Sequence, residues 1–198
     1  MGRYFSKHDA RHRKHQPTYR LQRAKERAHY GLPFVSVLSV MLKGTDMRNP
    51  VACVTSVPPR PSRSRPPEFF EVIERACPPG GVPFRPELLR CIRDYQPQKE
   101  LGGAARRNNV RGSFAVFGDV PPEHVVLIDD ILTTGSTGIE CARALLAGGA
   151  REVTIGCPGR TQSCISQTIL DLDADAVGPQ SLDDVGESEA CRTILEFE

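Results

Sequence analysis

Long apolar runs are missing from this chain of 198 residues. No run approaches the roughly 18 residues that a membrane-spanning helix needs, so the sequence predicts no membrane span. The first residues also have no apolar core of the kind found in secretory signals, and we therefore expect a cytoplasmic protein. With 39% hydrophobic and 25% charged residues, the composition is typical of a soluble globular protein.

Cysteine pairs of the CxxC type are also missing, although the chain has seven cysteines. An odd number without that spacing argues against a zinc ribbon and against a disulfide framework. We expect free thiols, several of them buried as small hydrophobic side chains. The pattern GxxxxGK[ST] is absent as well, which excludes the P-loop class of nucleotide-binding proteins.

Charge is distributed unevenly, although the net charge is only +2. Residues 1–30 contain nine Lys or Arg against two acids, and residues 167–198 contain nine acids against one Arg. We predict a basic N-terminal extension at 1–30, a folded domain at 31–166 and an acidic C-terminal segment at 167–198. The basic extension is either a contact for nucleic acid or an acidic partner, or a solvated, partly helical tail.

Apolar runs predict an α/β fold with a parallel sheet. Strands are predicted at 51–57, 113–119, 124–131 and 152–157, and helices at 19–29, 68–77 and 138–146. Ser136 or Thr137 is the predicted cap of the last helix. Because the run HVVLI before the acids is apolar throughout, we expect a strand buried on both faces and followed by a right-handed strand-helix-strand unit.

The stretch VVLIDDILTTGST, residues 125–137, carries the clearest chemical signal. Asp129 and Asp130 follow the predicted strand, at the carboxyl edge where ligands bind in open α/β sheets. Hydroxyl residues and Gly135 follow at the start of a helix, whose free N–H groups favour a phosphate monoester. Carboxylates for a diol beside a phosphate cradle describe a site for a ribose 5-phosphate.

This stretch resembles the motif that binds phosphoribosyl pyrophosphate (PRPP) in type I phosphoribosyltransferases. A second stretch, QKELGGAARRNNVRGSF at residues 98–114, is similar to the segment that precedes this motif in the competence protein ComF group. The matching positions are Gln98, Leu101, Arg106 or Arg107, Asn109, Val110, Gly112 and Phe114. The resemblance covers residues 35–160.

The resemblance implies a type I phosphoribosyltransferase-like parallel sheet flanked by helices, with a hood and a flexible loop. It implies transfer of a phosphoribosyl group from PRPP to a nitrogenous base or amine, with Mg²⁺ held through PRPP near the two aspartates rather than by a dedicated protein site. The implied catalytic and ribose-binding residues are Asp129 and Asp130, and the implied phosphate-binding residues are Thr133, Thr134, Gly135, Ser136 and Thr137. The implied pyrophosphate loop has Ser56, Val57, Pro58 and Arg60, and the implied flexible loop has Lys99, Arg106, Arg107 and Asn109. Self-association or a protein partner is a further expectation.

Two departures from the ComF pattern keep other functions open. The basic residues 1–30 stand where that group often has a cysteine-rich zinc-binding segment, and PSRSRPPEFF stands where it has Arg-Gly-Phe-Asn. One alternative is a regulatory protein or complex subunit that binds PRPP or a nucleotide without efficient turnover. Another is a nucleic-acid-associated protein that makes its contacts through residues 1–30.

Overall fold

A computed structural model describes eight stretches of the chain: residues 2–4, 16–24, 27–62, 68–77, 81–96, 108–132, 135–161 and 170–173. Among them lie nine strands: β1 (Gly2–Tyr4), β2 (Val51–Ser56), β3 (Leu89–Cys91), β4 (Phe114–Val116), β5 (His124–Ile128), β6 (Ile131–Leu132), β7 (Glu152–Gly156), β8 (Gly159–Thr161) and β9 (Leu170–Asp173). Four α-helices of these stretches are α1 (Gln16–Ala24), α2 (Leu32–Arg48), α3 (Glu68–Ala76) and α4 (Ser136–Ala147). Residues 108–110 are helical as well. Short 3₁₀ helices occupy Ala28–Tyr30 and Pro86–Leu88.

The central sheet has the strand order β2-β5-β7-β9. The first three strands are parallel, and β9 runs antiparallel to β7. Ser56 pairs with Ile128, and Ile128 pairs with Gly156, so the carboxyl ends of β2, β5 and β7 are level. The predicted α/β class and parallel sheet are therefore confirmed, and the loops that leave these three strands begin at one edge.

Two core clusters pack on the opposite faces of this sheet. Val125 and Leu127 belong to the cluster that includes Leu145 of α4, whereas Val126 and Ile128 belong to the cluster that includes Leu38 of α2. Every residue of β5 is buried. This agrees with a central parallel strand that is covered by helices on both sides.

Helix α2 occupies a stretch in which no helix or strand was predicted. Pro33 lies in its first turn, where a missing backbone N–H has no cost, and the helix ends before Asn49, whose N–H donates to Thr45 O at 3.0 Å. Pro50 then disfavours helical backbone at Asn49 and directs the chain into β2. Met41 and Leu42 of α2 are buried against the sheet.

Several predicted boundaries differ from those in the structure. The strand predicted at 124–131 ends at Ile128, and residues 131–132 pair instead with β8 in a small parallel sheet of order β1-β8-β6. The strand predicted at 113–119 is shortened to β4, which pairs antiparallel with β3 outside the central sheet. The helix predicted at 19–29 is divided into α1 and the 3₁₀ turn at Ala28–Tyr30.

Candidate functional site

Asp129 and Asp130 leave the central strand β5 at the carboxyl edge of the sheet. Their exposed fractions are only 9% and 5%. The Asp129 N–H donates to Gly156 O of the neighbouring strand at 2.9 Å, and the Asp130 N–H donates to Asp129 Oδ1 at 2.8 Å. The backbone of the acidic pair is thus fixed by the sheet and by the pair's own hydrogen bond.

The predicted pyrophosphate loop begins beside the acidic pair. Ser56 ends β2 opposite Ile128, and the Val57 N–H donates to Ile128 O at 3.0 Å. The Ser56 side chain is 1% exposed, and its hydroxyl has no hydrogen-bond partner among the described residues. Because a buried hydroxyl without a partner costs about 1–3 kcal/mol, Ser56 Oγ is a candidate ligand contact at this edge.

Gly135 forms the entrance to α4. Its φ of +74° is left-handed, and its carbonyl accepts the Ile139 N–H at 2.8 Å. The predicted cap at Ser136 or Thr137 is wrong, because Gly135 is the N-cap residue and no side chain caps the helix. The first N–H groups of α4 have no acceptor within the helix, as at any helix start, and such groups form anion sites. Thr133 and Thr134 lie outside the described residues.

Cysteines near the acidic pair are buried free thiols. Burial, assisted by the charge of Asp129, raises the pKa of Cys157 from 9.0 to about 12. The same two causes, burial first, raise the pKa of Cys141 well above its usual value. Within the described stretches Cys53, Cys77 and Cys91 are free as well, so the expectation of free thiols is confirmed there. Protonated, buried thiols of this kind are poor nucleophiles.

An open cleft of about 530 Å³ lies at the other end of the predicted pyrophosphate loop. It is lined by Arg60, Arg93, Asp94, Tyr95, Gln96 and Asn109. The structure therefore brings together Arg60 and Asn109, which were predicted on two separate loops. Lys99, Arg106 and Arg107, the other predicted residues of the flexible loop, lie outside the described residues.

Tyr95 lines this cleft between Arg60 and Phe114. The Arg60 guanidinium lies 5.5 Å from the centroid of the Tyr95 ring, and Phe114 packs edge-on at 5.8 Å. Burial is the main cause that raises the pKa of the Tyr95 phenol, and the Asp129 carboxylate is one of the smaller causes in the same direction. Sequence reasoning missed Tyr95 and Arg93, because neither stands in a motif.

Both polar atoms of the Asn109 side chain form hydrogen bonds with the backbone of Gln96. Its Oδ1 accepts the Gln96 N–H at 3.0 Å, and its Nδ2 donates to Gln96 O at 2.9 Å. This pair of hydrogen bonds joins the two ends of the segment between residues 96 and 109. Asn109 therefore holds the base of the predicted flexible loop.

No group of three or more His, Cys, Asp or Glu side chains in the described stretches is arranged to hold a metal ion. None of the described helices is both long and apolar enough to cross a membrane.

The fold and the site place the protein among open α/β sheets that have an acidic pair and a helix started by glycine at the carboxyl edge, where ligands bind in such sheets.

The sequence is similar to curated proteins named DNA utilization protein YhgH. It is 33% identical over 81 residues to the Salmonella typhi protein, which is 41% of this chain and 36% of that protein. It is 41% identical over 75 residues to the Escherichia coli O157:H7 protein, which is 38% of this chain and 33% of that protein.

The corresponding identity to the protein of Escherichia coli strain K12 is 39% over 75 residues. The chain thus spans about a third of the length of the curated relatives it matches. No family model and no solved structure matches it.

Proposed function

We propose that the protein is a phosphoribosyltransferase, which binds PRPP at the carboxyl edge of the sheet and transfers its phosphoribosyl group to a nitrogenous base or amine. The observation that carries this proposal is the buried acidic pair of Asp129 and Asp130, hydrogen-bonded to β7 on one side and adjoining the start of the Val57 loop on the other. Five residues after Asp130, Gly135 starts a helix whose N–H groups suit a phosphate. The resemblance to the PRPP motif agrees with this arrangement.

Each part of PRPP has a proposed partner. The carboxylates of Asp129 and Asp130 accept hydrogen bonds from the ribose hydroxyls. Residues 133–137 and the start of α4 hold the 5-phosphate, where the helix dipole adds a favourable interaction. The pyrophosphate lies against the loop of Ser56, Val57 and Pro58. Lys99, Arg106 and Arg107 close over it, on a loop whose base Asn109 fixes through Gln96.

In this proposal, Mg²⁺ binds together with PRPP. Mg²⁺ is usually bound through one or two carboxylates together with substrate phosphates and water, and Asp129 and Asp130 supply carboxylates of that kind. When bound, the ion offsets negative charge on the pyrophosphate as it leaves. The protein itself supplies position and fixed dipoles for a transition state with oxocarbenium character.

Release of pyrophosphate from PRPP tests the proposal. We expect wild-type protein, given Mg²⁺ and a set of nitrogenous acceptors, to release pyrophosphate, and the double variant Asp129→Asn/Asp130→Asn to lose this activity. Glu123→Gln is a matched control, because this exposed carboxylate precedes β5 at the opposite end of the same strand. Pyrophosphate release that the double variant retains would refute the assigned site.

A second candidate function is binding without turnover in a process that involves DNA. Two observations favour it: the relatives are named DNA utilization proteins, and residues 1–30 are strongly basic. Leu21 of α1 is buried in the core, so the test should neutralise Arg11, Arg13 and Lys14 to Gln rather than delete the segment. DNA binding that weakens steeply with salt, and that this triple variant loses, would support the second candidate.

A further inference from the structure

The cleft beside Tyr95 contains two arginines that the backbone holds in place. Both N–H groups of Arg93 Nη2 are used, since this nitrogen donates to Asn109 O at 3.1 Å and to Arg111 O at 2.6 Å. Its Nε and Nη1 donors have no acceptor among the described residues. Because each parallel pair of N–H groups on a guanidinium includes Nη2, Arg93 offers Nε and Nη1 to a ligand as separate donors rather than as a fork.

Arg60 is fixed in a similar way from the opposite loop. Its Nη1 donates to Tyr95 O at 2.8 Å, and its guanidinium lies 5.5 Å from the centroid of the Tyr95 ring. No other hydrogen bond of Arg60 is made within the described stretches, so Nε and Nη2 remain available. Anchoring of this kind reduces the side-chain entropy that binding would otherwise cost.

The described residues that line the cleft carry an excess of positive charge. Arg60 and Arg93 face a single acid, Asp94, whose Oδ1 accepts the Tyr95 N–H at 3.1 Å. Two guanidinium groups against one carboxylate give the described part of the lining an excess of one positive charge, which suits the single charge of a carboxylate. The fork formed by Nε and Nη2 of Arg60 also fits the two oxygens of a carboxylate, to which Arg93 can add a single N–H.

We propose that this cleft binds the acceptor, and that the acceptor is a small acid whose carboxylate lies between Arg60 and Arg93. Gln96 and Asn109 line the same cleft. Arg60 lies on the loop that leaves β2 beside Ile128, so the cleft and the acidic pair border the same loop. A volume of about 530 Å³ is ample for a small ring. That the bound acid is an acceptor rests on the proposed function, whereas the carboxylate site rests on the cleft alone.

Matched acids and amides test this inference by calorimetry on the full chain, with and without PRPP and Mg²⁺. The probes are benzoate, pyridine-3-carboxylate and imidazole-4-carboxylate, each with its neutral carboxamide. We expect at least one acid to bind roughly tenfold or more tightly than its amide, the size of one charge-assisted hydrogen bond. Arg93→Gln and Arg60→Gln should each remove this preference.

Controls separate binding from folding. Arg90→Gln should keep the preference, because Arg90 packs over the Phe117 ring at 4.3 Å and does not line the cleft. Arg93→Lys replaces Arg93→Gln if a thermal melt shows that the glutamine variant is unstable. The lysine keeps the charge and can donate to one of the two carbonyls, so this variant should retain part of the preference for acids.

The inference is overturned if acids and amides bind alike, if the preference survives both glutamine variants, or if inorganic pyrophosphate alone binds in a manner that depends on Arg93.

The PRPP titration distinguishes the two proposals. Binding of PRPP without any preference for acids would refute only the cleft assignment. A preference for acids without PRPP binding would refute the transferase and leave the carboxylate site.

Discussion

At the scale of single residues, Gly156 is the point where the end of β7 meets α2. A Cβ atom at this position would lie 2.5 Å from Met41 Cε and 2.8 Å from Met41 Sδ. A methionine side chain can move, but in a close-packed core its new position costs energy. The close contact also lies next to Cys157 and to the carbonyl that binds the Asp129 N–H.

We expect Gly156→Ala to lower the free energy of unfolding by about 1–2 kcal/mol, the usual cost of overpacking. In a Met41→Ala background the same change should cost clearly less, because the clashing atoms are gone. Urea denaturation of the four proteins in this cycle measures the coupling. Equal costs in the two backgrounds would show that Met41 is not what limits space at Gly156.

Cys157 predicts a dependence of stability on alkaline pH. Burial, with Asp129 second, raises its pKa in the folded protein from 9.0 to about 12. The folded state therefore favours the protonated thiol, and the stability that this contributes is complete below pH 9 and is lost as the pH rises toward 12. Wild type should thus lose more stability between pH 8 and pH 10 than Cys157→Ala does. Urea denaturation at both pH values tests this, and identical losses would contradict it.

At the scale of elements, α4 connects the acidic pair to the proposed phosphate site. Gly138 in its first turn allows a close approach to the sheet, since a Cβ there would lie 3.3 Å from Ile155 Cγ2. Gly135 provides the left-handed residue from which the helix starts. Both glycines therefore determine where the helix N-terminus lies relative to Asp129.

Gly135→Ala and Gly44→Ala should have opposite effects on stability. Alanine at φ +74° costs roughly 1–2 kcal/mol, so Gly135→Ala should destabilise the fold and weaken PRPP binding. Gly44 lies within α2, where a Cβ would meet nothing within 4 Å, and alanine there should stabilise by about 0.5–1 kcal/mol without affecting PRPP. Thermal melts and PRPP titrations of both variants measure this, and destabilisation by Gly44→Ala would contradict the account.

The helices and strands that were predicted correctly each have a recognisable local pattern of apolar residues. Strands β2, β5 and β7 are short apolar runs, and α3 shows apolar residues on one face, including Phe69, Val72 and Ile73, all of which are buried. Helix α2 has no such signal, since LPFVSVLSVML is apolar on every side and rich in β-branched residues. Its helical state follows from packing on α3 and the sheet, which a local pattern cannot reveal.

At the scale of the whole molecule, the two parts of the candidate site differ in how well sequence predicts them. The acidic pair and the Ser56 loop are neighbours because adjacent parallel strands end at the same edge of the sheet. A correct prediction of the two strands is therefore enough to predict that these loops lie close together. The cleft depends on contacts between residues far apart in sequence, such as Arg60 with Tyr95 and Arg93 with Asn109. These contacts become visible only in the folded chain.

Calorimetric titration with PRPP, with and without Mg²⁺, is the decisive experiment for the proposed site. We expect magnesium-dependent binding to wild type and to Glu123→Gln, and loss of that binding in Asp129→Asn/Asp130→Asn while circular dichroism shows an unchanged fold. Absence of binding to folded wild-type protein, or undiminished binding to the double variant, would contradict the claim that this edge of the sheet is a PRPP site.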